Sequence, residues 1–362
     1  MHSFDDIIGQ KTVVDHLKKA IALRKPSHAY IFCGDEGSGK KLLADRFAAG
    51  LLCDGAPQKD QKFRIFGTGK NSNEADNNQN SSEDDDGRPC GQCSACMQTG
   101  SGNHPDIIYV THEKKNITVG DIRTQLVKDI AVKPYSGQFK IYIIEDADKM
   151  NEEAQNALLK TLEEPPEYAV ILLLARNTGA FLQTILSRCV MLRFVPLDND
   201  TIKGYLIKRL EIPDYFAKLC AAFSNGSIGR AVKYASSEQF SVARERTLRI
   251  VKNIDQMTQA DLAAEIVQLN PAKNDESSLS FDDYLDLFGI WFHDVLIFKA
   301  TADANKVVFL NEISDIRSQA SKMSYEQLSG IIEAIDRTRQ RLNANVYFDV
   351  AVELLLIKLR GK

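Results

Sequence analysis

The chain has 362 residues, a formal net charge of −4 and a composition that is 44% hydrophobic and 26% charged. This composition is typical of a globular protein with two or three domains and argues against a chain coated in basic surface. Apolar runs such as VILLLA are far too short to span a bilayer. The N-terminal MHSFDDIIGQ lacks the basic and apolar regions of a secretory signal, so we expect a cytoplasmic protein without a membrane partner.

The first 197 residues alternate helical patterns with short β-rich runs. These runs are HAYIFC (28–33), DIIYV (106–110), KIYIIE (140–145), AVILLLA (169–175) and VMLRFV (190–195). Nearly continuous apolar strands separated by helices are typical of a parallel sheet that is buried on both faces. The sequence therefore predicts an α/β core over residues 1–197.

The first strand is followed by GDEGSGKK, which matches most of the phosphate-loop pattern G-x-x-x-x-G-K-[ST] with Gly34, Gly37, Gly39 and Lys40. Strand, glycine loop and helix start form the arrangement in which backbone N–H groups and the helix dipole hold phosphates. Lys41 replaces the hydroxyl residue that coordinates Mg²⁺, and a lysine cannot ligate a cation. We expect a degenerate nucleotide site, compatible with phosphate binding but poorly suited to hydrolysis.

A second acidic element follows the strand in KIYIIEDADKM, where Glu145 and Asp146 come directly after the apolar run. In phosphate-loop enzymes, acids at this place hold Mg²⁺ and polarise the attacking water, usually in the order Asp then Glu. Here the order is reversed. Because Mg²⁺ demands near-ideal geometry, this second departure also argues against hydrolysis at this chain's own site.

Three cysteines in PCGQCSAC, Cys90, Cys93 and Cys96, have C-x₂-C-x₂-C spacing, and Cys53 lies in a separate segment. Four thiolates from two segments can form a closed, tetrahedral, structural Zn²⁺ site. An iron–sulfur cluster is the alternative. In a reducing compartment we expect thiols or metal ligands and no disulfide framework.

The segment between these cysteines reads as an acidic, disordered insertion over about residues 56–88. From Asn71 to Gly87 it has six carboxylates, no basic residue and only Ala75 as a hydrophobe. Such a segment cannot bury enough apolar surface to offset its ordering entropy. Closure entropy grows slowly with loop length, so the insertion should leave the cysteines undisturbed.

Strand signals stop after Pro196, and the remaining sequence is helical. The clearest pattern is FDDYLDLFGIWFHDVLIF (281–298), in which apolar residues recur at helical spacing along one stripe. The only tryptophan, Trp291, lies on this stripe. We expect it to pack in a helical core.

Several segments together resemble bacterial clamp-loader ATPases of the AAA+ superfamily. They are FDDIIGQ, HAYIF, the cysteine cluster, HPDIIYV, IRTQL and the run from NEEAQNALLKTLEEPP to LQTILSRC (151–189). The resemblance covers essentially the first 235 residues and, more weakly, the C-terminal helices. It implies an AAA+ phosphate-loop core over 1–197, an all-helical lid over 198–240 and an all-helical collar for oligomerisation over 241–362.

The resemblance also implies roles for individual residues. Arg188, in the triplet Ser-Arg-Cys, would be an arginine finger that reaches ATP held by a neighbouring subunit. Its alternative role is to cap a helix or pair with an acid. Asn177 and Arg230 match two sensors of the γ-phosphate, and Cys53 becomes the fourth zinc ligand.

DNA contact is implied only weakly, for Arg123 and Lys128, since such contacts to phosphate need only local positive charge. An ordinary solvated helix face is the alternative. The resemblance implies a non-motor (stator) subunit in a hetero-pentamer with gamma/tau-type motors and a delta subunit. Its further partners would be a sliding clamp and primer-template DNA, and ATP with Mg²⁺ would be held mainly by the neighbours.

Two other functions stay open at this point. One is a self-sufficient ATPase motor of the gamma/tau type, against which Lys41 and the reversed acids argue. The other is a zinc-dependent module that binds nucleic acid alone, against which the acidic net charge argues. We expect no independent polymerase activity, because the aspartates of a two-metal site are not evident.

Overall fold

The computed structural model describes residues 4, 7–54, 89–112, 116–270, 280–344 and 346–360. The predicted acidic insertion lies outside the described residues. The chain divides into two compact units, Met1–Pro196 and Leu197–Lys362. Division of the second unit into a lid and a collar near residue 240 stays a prediction.

The N-terminal unit contains a five-stranded sheet in which every neighbouring pair of strands is parallel. The strands are β1 (Ala29–Cys33), β2 (Ile107–Val110), β3 (Lys140–Ile144), β4 (Ala169–Ala175) and β5 (Val190–Arg193). Their order across the sheet is β2-β3-β4-β1-β5. The predicted α/β fold with a parallel sheet is confirmed, and each predicted strand is present.

Helices flank this sheet on both faces. They are α1 (Lys11–Ala22), α2 (Lys40–Leu52), α3 (Ser94–Gly100), α4 (Val119–Ile122), α5 (Glu152–Glu163) and α6 (Gln183–Leu186). A π-helical turn, Arg123–Val127, continues α4, and a 3₁₀ turn, Ala147–Lys149, follows β3.

Alternate residues of the strands pack in two separate hydrophobic cores, one on each face of the sheet. On one face Tyr30 and Phe32 of β1 pack with Leu17 of α1 and Phe47 of α2, all buried. On the other face Ile31 packs in the core that includes Leu158 of α5. Because both faces are covered, the strands are apolar throughout, as their sequences indicate.

The described residues of the C-terminal unit form helices joined by loops, with no β-strand among them. Its helices are α7 (Asn199–Leu210), α8 (Asp214–Phe223), α9 (Ile228–Ala235), α10 (Glu238–Asn253), α11 (Gln259–Leu269), α12 (Phe281–Thr301), α13 (Ile313–Lys322), α14 (Tyr325–Asn343) and α15 (Phe348–Leu359). Trp291 is fully buried on α12, and its indole N–H donates to Gln319 Oε1 at 2.8 Å. Its predicted packing role is confirmed. Within the described residues, no helix is both long enough and apolar enough to cross a membrane.

The parallel strands give the sheet a carboxyl edge and an amino edge with different residues. The glycine loop follows β1, Glu145 follows β3, and Asn177 comes two residues after β4. All three therefore lie at the carboxyl edge, where open α/β sheets bind their ligands.

Arg188 lies at the amino edge. It precedes β5 by two residues, and Tyr30 of β1 pairs with Val190 of β5 in parallel register. Counting two residues back on both strands places Arg188 level with His28, before the start of β1. The predicted finger and the phosphate loop of the same chain are therefore at opposite edges of the sheet.

Candidate functional site

The glycine loop has a backbone that only glycine fits at two places. At Gly34 a Cβ atom would lie 2.7 Å from the Cβ of Phe194, so a side chain would force the two segments apart. Gly39, the N-cap of α2, has φ +93°, a left-handed conformation that residues with a side chain rarely adopt, although an added Cβ would meet no other atom. The first N–H groups of α2, a helix of 13 residues, have no acceptor within the helix, and such a helix start can accept an anion.

Lys40 folds back on the loop that precedes it. Its Nζ donates to the carbonyl oxygens of Gly34 and, at 2.7 Å, of Asp35. Burial lowers the pKa of Lys40, and the positive charge of Arg176 lowers it further. The lysine is therefore held at the loop by neutral carbonyl groups, in a place from which it can turn to a phosphate.

Lys41 is paired with one of the two acids that sequence places at a metal site. Its Nζ lies 2.5 Å from Glu145 Oε1 and 5.6 Å from the ring centroid of Tyr109. The hydrogen bond with Glu145 raises the pKa of Lys41, so the ammonium stays charged at neutral pH. The residue that replaces the magnesium-binding hydroxyl thus also neutralises the acid opposite it.

Asp146 is paired with a second lysine. It lies in the left-handed region with φ 49°, and its Oδ2 accepts a hydrogen bond from Lys149 Nζ at 2.7 Å. This bond lowers the pKa of Asp146 and outweighs the opposing effect of burial. Both predicted metal-binding acids, Glu145 and Asp146, therefore have a cationic side chain of this chain as partner.

The two predicted sensors make contacts within their own units. Asn177, exposed after β4, accepts a hydrogen bond from the Gly179 N–H at 3.0 Å, which shapes its own turn. Arg230 is on α9 of the C-terminal unit, where Nη2 donates to the Tyr234 hydroxyl at 3.2 Å. That hydroxyl donates to Asp283 Oδ1 at 3.3 Å, so Arg230 takes part in a polar chain that links α9 to α12.

Arg188 is partly exposed beside a cavity of about 420 Å³ at the amino edge of the sheet. His28 also lines this cavity, and its buried Nε2 has no hydrogen-bond partner among the described residues. The Arg188 guanidinium forms an ion pair with Glu163 at 2.9 Å and donates to the Thr184 carbonyl at 3.0 Å. Arg188 thus pairs with an acid, which was the alternative role expected from the sequence. The ion pair does not test whether Arg188 acts on a neighbouring subunit.

The four cysteines Cys53, Cys90, Cys93 and Cys96 meet in one place, and their Sγ atoms all lie within 4.8 Å of one another. The Sγ separation is 4.0 Å for Cys90 and Cys96 and 3.9 Å for Cys93 and Cys53. A zinc–sulfur bond of about 2.3 Å places the sulfurs of a tetrahedral site roughly 3.8 Å apart. Two of the sulfur separations therefore match a tetrahedral Zn²⁺ site closely, and all seven cysteines are free of disulfides.

Backbone N–H groups also support thiolates in the cluster. The Cys90 N–H points to Cys53 Sγ at 3.3 Å, the Cys93 N–H to Cys90 Sγ at 3.3 Å, and the Cys96 N–H to Cys93 Sγ at 3.4 Å. Donation from the N–H groups of Gln92 and Cys93 lowers the pKa of Cys90 to about 6. A thiolate is the form that binds a metal ion, so the donors around Cys90 favour metal binding, whereas burial raises the pKa of Cys96.

A family model described as "DNA polymerase III, delta subunit" matches residues 9–72 and 64–198. The two matches together cover residues 9–198, more than half of the 362-residue chain. The chain belongs to the DNA polymerase III delta-subunit family.

Curated relatives agree with this family, and two of them are delta-prime subunits. The chain is 25% identical over 352 residues to DNA polymerase III subunit delta' of Bacillus subtilis (strain 168), covering 97% of this chain and 96% of that one. It is 27% identical over 339 residues to subunit delta' of Pseudomonas aeruginosa, covering 92% and 91%. Subunit tau of Bacillus subtilis is 24% identical over 376 residues, covering 96% of this chain but 60% of tau.

In this member of the delta-subunit family, the predicted DNA contacts lie on an unexpected element. Arg123 begins the π-helical turn and Lys128 follows it, and the Lys128 N–H donates to the Arg123 carbonyl at 3.1 Å. Both side chains are exposed. The structure thus presents two cations on one turn, and their role in binding DNA stays a prediction.

Sequence reasoning missed the part played by Asp106 in HPDIIYV. This carboxylate is 1% exposed and accepts hydrogen bonds from the N–H groups of Tyr135, Ser136 and Gly137 and from the Ser136 hydroxyl. Burial raises the pKa of Asp106, but these donors outweigh burial and bring it below the ordinary value. An acid in the tripeptide His-Pro-Asp directly before a strand was the available signal.

Proposed function

We propose that this chain is a non-motor, stator subunit of the DNA polymerase III clamp loader that supplies Arg188 in trans to the ATP site of a neighbouring subunit. Membership of the delta-subunit family and the delta' relatives support the complex. Its partners would be gamma/tau-type motors, a delta subunit, the sliding clamp and primer-template DNA. Arg123 and Lys128 are its candidate contacts to DNA phosphates.

The location of Arg188 carries the proposal. From His28, which is level with Arg188, to Gly34 the chain advances six residues, which at about 3.3 Å per residue corresponds to roughly 20 Å. An arginine side chain cannot reach the phosphate loop of its own chain over that distance. A finger at this edge can act only on a nucleotide that another molecule brings to it.

The state of the chain's own loop supports the non-motor assignment. Lys41 and Lys149 neutralise the two acids that would otherwise hold Mg²⁺. An ammonium group cannot coordinate and activate water as a metal ion does. We infer that this loop turns over ATP slowly or not at all, whether or not it binds nucleotide.

An exposed apolar stripe on α15 supports a role in assembly. The stripe consists of the N-cap residue Tyr347 and of Val350, Leu354 and Ile357, which recur at helical spacing and are 73%, 49%, 48% and 44% exposed. The opposite side of α15 is buried in the C-terminal unit. A helix that is apolar on both sides fits a collar in which a neighbouring subunit covers the second side.

The cysteine cluster would hold one structural Zn²⁺. Its ligands would be Cys53, Cys90, Cys93 and Cys96, and a site closed by four protein ligands leaves no open position for chemistry. The metal would fix the end of α2 to α3.

The test is ATP turnover by a loader reconstituted with motor subunits, clamp and primed DNA. Replacing Arg188 by Ala should lower turnover at least tenfold while the complex still assembles, because one fixed cation at the transferring phosphate is lost. The matched control is Arg176→Ala, an exposed arginine that pairs with Glu36 at the carboxyl edge. If the chain were a self-sufficient motor, the isolated chain would instead hydrolyse ATP in the presence of Mg²⁺, and Arg188→Ala would not change the turnover of the reconstituted loader.

A further inference from the structure

The Arg188 guanidinium is held on two sides by different kinds of acceptor. Its Nη1 donates to the carbonyl of Thr184, within α6, at 3.0 Å and to Oγ of Ser187, the C-cap of α6, at 3.2 Å. Its Nη2 pairs with Glu163 Oε1, the last residue of α5, at 2.9 Å. One nitrogen is thus anchored by neutral groups close in sequence, and the other by a carboxylate from a separate helix.

We propose that Glu163 is a competing counter-ion that occupies, in the free subunit, the place of the phosphate that Arg188 is to contact. The inference rests on the proposed function of Arg188 in trans. A carboxylate oxygen and a phosphate oxygen accept the same charge-assisted hydrogen bond from a guanidinium. While Glu163 is bound, the pair presents little net positive charge to a nucleotide.

The anchoring of Nη1 explains why exchange at Nη2 would not displace the finger. Thr184 and Ser187 keep the guanidinium plane in place when Nη2 leaves Glu163. The nucleotide then meets a cation that is already oriented, which reduces the reorganisation required at the transition state. In this arrangement residues at α6 orient the Arg188 guanidinium, and Glu163 of α5 determines whether it is free to contact a phosphate.

Exchange of partners is feasible because the pair is open to solvent. The side chains of Arg188 and Glu163 are 34% and 49% exposed. Exposed ion pairs are weak and sensitive to salt. A triphosphate carries more charge than one carboxylate and offers several oxygens, so it outcompetes Glu163 once a neighbouring subunit brings it within reach.

The experiment compares wild type, Glu163→Gln, Glu164→Gln and Arg188→Ala in the reconstituted loader, with ATP titrated in the presence of clamp and primed DNA. Glu164 is the adjacent exposed acid, and its side chain has no ion pair among the described residues, so its variant removes the same charge without freeing Arg188. Glu163→Gln should lower the KM for ATP at least threefold and leave kcat within twofold. Glu164→Gln should match wild type, and the effect of Glu163→Gln should shrink at high salt.

Other outcomes separate this inference from the function on which it rests. A higher KM or a lower kcat in Glu163→Gln would mean that Glu163 supports Arg188 and does not compete with phosphate, which overturns the inference. Equal behaviour of the two glutamine variants overturns it as well. If Arg188→Ala slows turnover and Glu163→Gln changes nothing, only this inference fails; if Arg188→Ala changes nothing, the proposed function fails with it.

Discussion

Replacement of Cys90 by Ser should weaken zinc binding by about two orders of magnitude. A structural zinc site binds with roughly 10–16 kcal/mol at neutral pH, so each of four thiolates accounts for about 3 kcal/mol. At about 1.4 kcal/mol per tenfold change in Kd, loss of one thiolate corresponds to a factor of about 100. Cys90 is exposed, so its substitution leaves no buried cavity that would confuse loss of metal with loss of packing.

The assay is an anaerobic titration of the full chain against a chromophoric zinc chelator, with zinc and iron counted in the purified protein. Wild type should carry one Zn²⁺ per chain, and stripping it should lower the Tm, because binding to the folded state stabilises that state. The matched control is Cys33→Ser, since Cys33 lies at the end of β1 outside the cluster. It should bind zinc as wild type does.

Two results would refute the reasoning from sulfur geometry. Iron with acid-labile sulfide in the purified protein would identify the alternative cluster, for which four thiolates are also suitable ligands. Zinc affinity that is unchanged in Cys90→Ser would show that the close approach of the four sulfurs does not reflect coordination.

Three further substitutions test other parts of the structure. Lys41→Thr should free Glu145 and supply the hydroxyl that the phosphate-loop pattern has at this position. Binding of an ATP analogue, measured by calorimetry, should then become Mg²⁺-dependent and at least tenfold tighter. Unchanged Mg²⁺ dependence would contradict the assigned ion pair. Asp106→Asn should cost on the order of 3 kcal/mol of unfolding free energy, because a buried charged acceptor is lost. Since the pKa of Asp106 is lowered in the folded state, its contribution to the free energy of unfolding is present above about pH 4 and is lost as the pH falls through the folded-state pKa. In urea titrations at several pH values, the Asn variant should lack this loss of stability in acid. Leu354→Asp should abolish assembly at micromolar concentration in sedimentation without lowering the Tm of the free chain, whereas Val267→Asp, also on an exposed helix position, should assemble normally.

The sequence was sufficient for the sheet because its strands are buried on both faces. AVILLLA has no polar position, and Ala169–Ala175 is buried at every residue of β4. The helical stripe of α12 was equally readable, because its apolar residues recur at helical spacing and are buried or packed against the core. In both places local pattern and tertiary burial agree, which is the condition for a reliable inference from sequence.

The ion pairs of the site could not be predicted from local sequence patterns. Lys41 and Glu145 are 104 positions apart, and nothing in either segment specifies that their side chains meet. The same holds for Arg188 and Glu163, which come from separate helices. Sequence indicated which residue types are unusual at the site, and only the packing of the strands and helices determines which charges neutralise one another.

This distribution of charge gives a physical reason for separating the phosphate loop from the finger. At the carboxyl edge, the ammonium groups of Lys41 and Lys149 pair with Glu145 and Asp146, the two acids predicted to hold a metal ion. At the amino edge, the cation Arg188 is balanced by an exposed acid that can be exchanged for an incoming anion. Both kinds of pair are exposed, so neither adds much stability. They differ in what exchange releases: an acid that a lysine of the same chain occupies is less available to a metal ion, whereas Arg188 becomes available to a partner's phosphate when Glu163 leaves. Under the proposed function, the first edge concerns this chain's own nucleotide site and the second acts on its neighbour, so substitutions at Lys41 and at Arg188 should affect the ATP sites of different subunits of the same complex.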